Sequence, residues 1–68
     1  MESKFSERLK ELKKEFGLSD MRLGRAIGVS DATICRWING KADIKSNELI
    51  KVARFFKVSA DYLIGLED

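Results

Sequence analysis

The stretch that decides the fold is DMRLGRAIGVSDATICRWIN, residues 20–39. Its apolar residues recur at helical spacing on both sides of Gly28, which predicts two short helices joined by a tight turn. Gly28 suits a turn position of positive φ, and Gly24, one helical turn earlier, would let the second helix approach closely. A connection this short prevents antiparallel packing, so the two helices should cross at a steep angle. The apolar residues that would lock the pair are Leu23, Ile27, Val29, Ile34 and Trp37.

The segments on either side predict three further helices. Phe5, Leu9, Leu12 and Phe16 share one helical face, and Ser3 could cap the start of that helix. Two more helices are expected, at about residues 46–56 and at residues 60–64 after a Ser59 cap. We therefore predict an all-α fold, a compact five-helix domain over residues 1–68 with the two-helix motif at its centre.

Composition excludes several classes of protein. The chain has no histidine and one cysteine, Cys35, so neither a disulfide framework nor a zinc site can be assembled. Without a histidine, and with only scattered carboxylates, no acid–base pair or activated nucleophile for an enzyme is evident. We expect no metal, cofactor or small-molecule ligand.

The expected location is the cytoplasm. A lone thiol suits a reducing compartment. No apolar run reaches the roughly 18 residues of a membrane-spanning helix, so no membrane partner is expected.

Positive charge is concentrated in the central segment. Residues 21–41 carry four cationic side chains against Asp31 alone, a balance of +3, whereas the whole chain carries +2. Such a cluster favours a nucleic-acid partner. The four cationic residues are Arg22, Arg25, Arg36 and Lys41.

From Phe5 to Gly65 the sequence resembles the phage-repressor helix-turn-helix family (lambda repressor/Cro-like, or XRE). The resemblance rests on Phe5–Leu9, Gly17–Ser19, Gly28–Ser30, Trp37–Lys41 and Val58–Gly65. It implies a transcriptional regulator, typically a repressor, that binds a double-stranded DNA operator. The third helix, at about residues 30–39, would lie in the major groove, and a homodimer would bind an inverted repeat.

Four positions depart from the pattern of that family. Asp20 replaces a glutamine that binds a phosphate in the family, and a carboxylate there cannot donate a hydrogen bond. Lys13 and Ile38 replace an arginine and a glutamate, so the ion pair of the family cannot form between them. Ile44 replaces a proline.

The resemblance nominates two sets of DNA-contacting residues. Side chains at the start of the recognition helix meet base edges, and these are Asp31, Ala32, Thr33 and Arg36. Arg36 could donate two hydrogen bonds to a guanine or merely neutralise a phosphate, and Asp31 could accept from a cytosine or favour its own helix dipole. The expected contacts to the DNA backbone are Ser19, Arg22, Ser30, Asn39 and Lys41. For the two serines, plain helix capping is the alternative.

Three further assignments concern apolar residues and the thiol. The dimer candidates are Phe55, Tyr62, Leu63 and Leu66, which could instead pack within the monomer. Trp37 is expected in the core because of its helical spacing from Ile34, and Cys35 is expected to be an incidental thiol.

An alternative function remains open at this stage. A helix-turn-helix fold can serve as a protein-interaction module, such as an antitoxin or an anti-repressor partner. Asp20 and Asp31, on the surface that should meet DNA, favour that alternative.

Overall fold

The computed structural model describes residues 4–66, which form five α-helices. They are α1 (Phe5–Phe16), α2 (Asp20–Ile27), α3 (Asp31–Ile38), α4 (Ser46–Phe56) and α5 (Ala60–Ile64). The predicted all-α, five-helix architecture is confirmed. The predicted Ser3 cap lies outside the described residues. None of these five helices is both long and apolar enough to cross a membrane.

All five helices contribute to one hydrophobic core. Trp37 is 1% exposed and meets the ring of Phe5 edge to face, with 6.0 Å between the ring centroids. The Ser6 hydroxyl of α1 donates to the Trp37 carbonyl at 2.5 Å, so α1 is tied to the end of α3. The expected core position of Trp37 is confirmed. The core residues are Phe5, Leu9, Leu12, Leu23, Ile27, Ile34, Trp37, Val52, Ala53, Phe56 and Leu63.

Serine caps start three of the helices. The hydroxyl oxygens of Ser19, Ser30 and Ser59 accept the backbone N–H three residues on, at 3.1, 3.2 and 3.0 Å. Each cap satisfies one of the N–H groups that a helix start leaves without a partner. The sequence-predicted caps at these three positions are confirmed.

Close contact between α2 and α3 depends on Gly24, which has no side chain. A Cβ atom at Gly24 would lie 2.5 Å from the carbonyl oxygen of Val29, in the turn that leads into α3. Gly28 ends α2 with φ +79°, a conformation that glycine adopts without a steric penalty. Both roles predicted for these glycines are confirmed.

Two local details differ from the sequence pattern. Ala26, whose spacing groups it with Leu23 and Ile27, is exposed. Lys57, the residue that caps the C-terminus of α4, has φ +58°, a left-handed conformation in a residue other than glycine.

Candidate nucleic-acid interface

Helix α3 has a buried face and an exposed face. Ile34 and Trp37 point into the core, whereas Ala32 and Arg36, four residues apart and therefore on one face, are exposed. Thr33 is partly buried beside them. The structure thus brings three of the four predicted base-reading residues onto one outward surface, while Asp31 lies at its N-terminal edge.

Arg36 and Asp31 differ in whether their polar atoms already have partners. Within residues 4–66, the Arg36 guanidinium takes part in no hydrogen bond or ion pair, so its donors are available to a ligand. Asp31 Oδ1 accepts the Ala32 N–H at 3.0 Å, at the positive end of its own helix. That contact fits the helix-dipole interpretation of Asp31.

The backbone-contact candidates surround the ends of α2 and α3. Ser19 and Ser30 act as caps, as described above, and their exposed hydroxyl groups lie beside helix N-terminal N–H groups. Such an arrangement suits a phosphate oxygen. The Ser30 oxygen also lies 2.8 Å from the Thr33 hydroxyl, so the start of α3 is locally ordered. Arg22 is exposed in the first turn of α2.

Asn39 and Lys41 lie beyond the C-terminal end of α3. The Asn39 side-chain amide donates to the Cys35 carbonyl at 3.0 Å and contacts Cys35 Sγ at 3.3 Å, so the amide folds back on α3. Gly40, with φ +70°, reverses the chain, and the Lys41 N–H donates to the Arg36 carbonyl at 2.8 Å. These bonds fix the Lys41 backbone beside α3 while its side chain stays exposed.

An ion pair that the sequence analysis missed joins α1 to α2. Lys13 Nζ donates to Asp20 Oδ1, so Lys13, although it lacks the glutamate of the resembled family, has an acidic partner elsewhere. Burial lowers the pKa of Lys13 below the usual lysine value, and the nearby Cys35 sulfur acts in the opposite direction. The available signal was a pair of opposite charges flanking the turn Gly17–Ser19.

The dimer candidates separate into buried and exposed residues. Leu63 is 0% exposed, so its nomination is wrong, because the packing of α5 on α1 and α4 places it in the core. Tyr62 is half-buried beneath the Arg8 guanidinium, which lies 4.2 Å from its ring centroid. Phe55 and Leu66 are 37% and 74% exposed.

Phe16 is an exposed aromatic residue that the sequence pattern assigned to the inward face. It is 52% exposed and meets Phe56 edge to face, as Phe55 does, each at 5.0 Å between ring centroids. Phe16 and Phe55 therefore flank one core ring.

Solved structures resemble this fold closely. A transcriptional regulator from Listeria innocua superposes with a TM-score of 0.90 at 29% identity, covering 100% of this chain and 64% of its own. This chain thus spans less than two thirds of that regulator. The LexA SOS-response transcriptional repressor from Eubacterium rectale superposes with a TM-score of 0.85 at 28% identity. The match covers 94% of this chain and 66% of that repressor chain.

A third match shows the fold at lower identity. The P22 c2 repressor, solved with synthetic operator 9T, gives a TM-score of 0.87 at 24% identity and covers 93% of this chain and 96% of its own. No curated protein matches the sequence. The family model described as helix-turn-helix matches residues 9–63, which include all of α2 and α3. The chain therefore belongs to the helix-turn-helix family.

Proposed function

We propose that this protein is a sequence-specific double-stranded DNA-binding transcriptional regulator, a repressor that acts in the cytoplasm. In this proposal a homodimer binds an inverted repeat, and α3 of each subunit enters the major groove. The observation that carries the proposal is the outward face of α3, where Arg36 has no protein partner within the described residues. Membership of the helix-turn-helix family supports it.

The residue types on this face suit the reading of base pairs. A guanidinium can donate two parallel hydrogen bonds to the O6 and N7 atoms of guanine. The methyl groups of Ala32 and Thr33 can contact a thymine methyl group. Asp31 lies at the edge of the face, and its bond to the Ala32 N–H leaves other lone pairs for a cytosine amino group.

Backbone contacts would set the orientation of α3 in the groove. Phosphate contacts fix the register of a protein on DNA without reading sequence. Ser19 and Ser30 lie at the N-termini of α2 and α3, where backbone N–H groups and the helix dipole favour an anion. Arg22, Asn39 and Lys41 complete the proposed set.

The dimer is proposed from symmetry and exposed apolar surface. A two-fold dimer matches an inverted repeat, and the half-site spacing then equals the distance between the two recognition helices. Because Leu63 is buried, the remaining candidates for the dimer contact are Phe55, Tyr62 and Leu66.

The interaction-module alternative loses its main support. It rested on two carboxylates, Asp20 and Asp31, facing the expected DNA. Asp20 is paired with Lys13, and Asp31 faces the amide end of its own helix. The ion pair compensates the charge of Asp20, whereas Asp31 stays exposed and its charge is offset only in part, by the dipole of its own helix.

Selection of bound duplexes from a random DNA pool tests the proposal. We expect an inverted repeat with half-site centres about 10–10.5 base pairs apart. Arg36→Ala should relax preference at one base pair per half-site, whereas Arg54→Ala, an equal loss of charge on the exposed part of α4, should leave the selected sequence unchanged. Failure of the wild-type protein to enrich any duplex would overturn the proposed function.

A further inference from the structure

Lys13 links two helices. It extends from α1 and donates to Asp20, the first residue of α2. Its side chain is 15% exposed, against 34% for that of Asp20. The Lys13 side chain is therefore largely shielded from solvent where α1 meets α2.

Asp20 stands next to a proposed phosphate contact. It directly follows Ser19, whose hydroxyl oxygen accepts the Arg22 N–H at 3.1 Å and caps α2. The Lys13–Asp20 pair therefore fixes the chain beside Ser19, at the N-terminus of α2.

We propose that Lys13 is a positioning residue for DNA recognition: through Asp20 it holds the N-terminus of α2, with its Ser19 cap, in the placement that a DNA backbone requires. It also neutralises the Asp20 carboxylate, which would otherwise repel a phosphate at the start of α2. The inference rests on the proposed function. Lys13 does not itself contact DNA in this proposal, because its ammonium group is paired with Asp20.

The proposal and a simple charge argument predict different effects of Asp20→Asn on DNA binding. Removal of a negative charge near DNA should, by Coulomb attraction alone, strengthen binding to every duplex. If Asp20 instead holds α2 by pairing with Lys13, loss of its charge frees the start of α2, and the phosphate contacts that set register are weakened. The ratio of affinity for the selected site to affinity for random duplex should then fall, by about 2- to 150-fold, the range that corresponds to the coupling of neighbouring residues.

The experiment measures this affinity ratio for Lys13→Met, Asp20→Asn and the double variant, together with thermal stability. Both single variants should lower the ratio, and the double variant should lower it no further, because one interaction is lost in all three. Lys14→Met, at the exposed neighbour of Lys13, and Asp61→Asn, an exposed acid in the first turn of α5, are the matched controls. Both controls should keep the wild-type ratio. Lys13→Arg preserves the charge and can reach the same carboxylate. This variant should therefore keep most of the wild-type affinity ratio.

Two results overturn the inference while leaving the proposed function intact. One is an unchanged affinity ratio in Lys13→Met and Asp20→Asn when the wild-type protein discriminates its selected site. The other is a double variant whose loss in the affinity ratio equals the two single losses combined, which would mean that the two residues act separately. A wild-type protein that binds no duplex would instead overturn the proposed function, and the inference with it.

Discussion

Gly24→Ala should be the substitution that most directly separates local helix preference from tertiary packing. Alanine is a better helix former than glycine by about 1 kcal/mol, so an isolated α2 would gain stability. In the folded protein the new methyl group would lie 2.5 Å from the Val29 carbonyl oxygen. Real Cβ atoms essentially never approach another atom within 3.0 Å, so the turn must move by at least 0.5 Å, the difference between these distances.

The magnitude follows from these two opposing terms. The obstacle is a backbone atom, which cannot rotate away as a flexible side chain would, so overpacking should cost about 2–3 kcal/mol. After the gain in helix propensity, a net loss of about 1–2 kcal/mol remains. For a domain of this size that corresponds to a fall in Tm of roughly 5–15 °C.

Thermal unfolding followed by circular dichroism measures the effect, and Ala26→Gly is its control. Ala26 is exposed on the same helix, so the reverse substitution should cost only the propensity difference of about 1 kcal/mol and should not change DNA affinity while the protein is folded. Gly24→Ala should also weaken binding to the selected site, because α3 begins directly beyond the displaced turn. A Gly24→Ala variant that is more stable than the wild type would refute the argument for close packing of α2 and α3.

Three further predictions separate the core, the strained helix end and the DNA-binding surface. Trp37→Ala should lose about 3–5 kcal/mol of stability, most of what a small domain has, and the cooperative thermal transition should largely disappear. Lys57→Gly should raise stability by about 0.5–1 kcal/mol in the same assay, because glycine removes the cost of the left-handed backbone at the end of α4; a lower Tm would contradict this. Arg36→Ala should cost about 1–3 kcal/mol at the selected site only, whereas Lys41→Ala should weaken selected and random duplexes alike and lower the salt slope by about one per subunit. Equal losses at both kinds of site for Arg36→Ala would exclude base reading.

Most of the fold could be predicted from the sequence because its signals are local. Serine caps, terminal glycines and apolar residues at helical spacing each act within one or two turns of helix. The demand for a small residue at Gly24 was also visible, because the short turn after α2 leaves no other way for α3 to approach.

The errors arise where burial depends on distant helices. Leu63 and Leu66 look alike in sequence, yet one is fully buried and the other is 74% exposed, because only Leu63 faces the helices that α5 packs against. Phe16 continues the inward spacing of α1 but lies at its last turn, where the core no longer covers it.

The candidate site was predictable in its residue types but not in its polar contacts. The exposed face of α3 follows from helical spacing once Ile34 and Trp37 are placed inside. The pairing of Lys13 with Asp20 depends on how α1 and α2 meet across their turn, which the pattern of either helix alone does not specify.

The central claim is that the protein binds double-stranded DNA through phosphate and base contacts made by a helix-turn-helix dimer. The most direct test measures affinity for the selected duplex from 50 to 200 mM salt. A dimer that neutralises about six to ten phosphates should lose roughly 10³–10⁵-fold in affinity across that range, since each contact releases bound counterions. Affinity that stays constant across the same range would contradict the account.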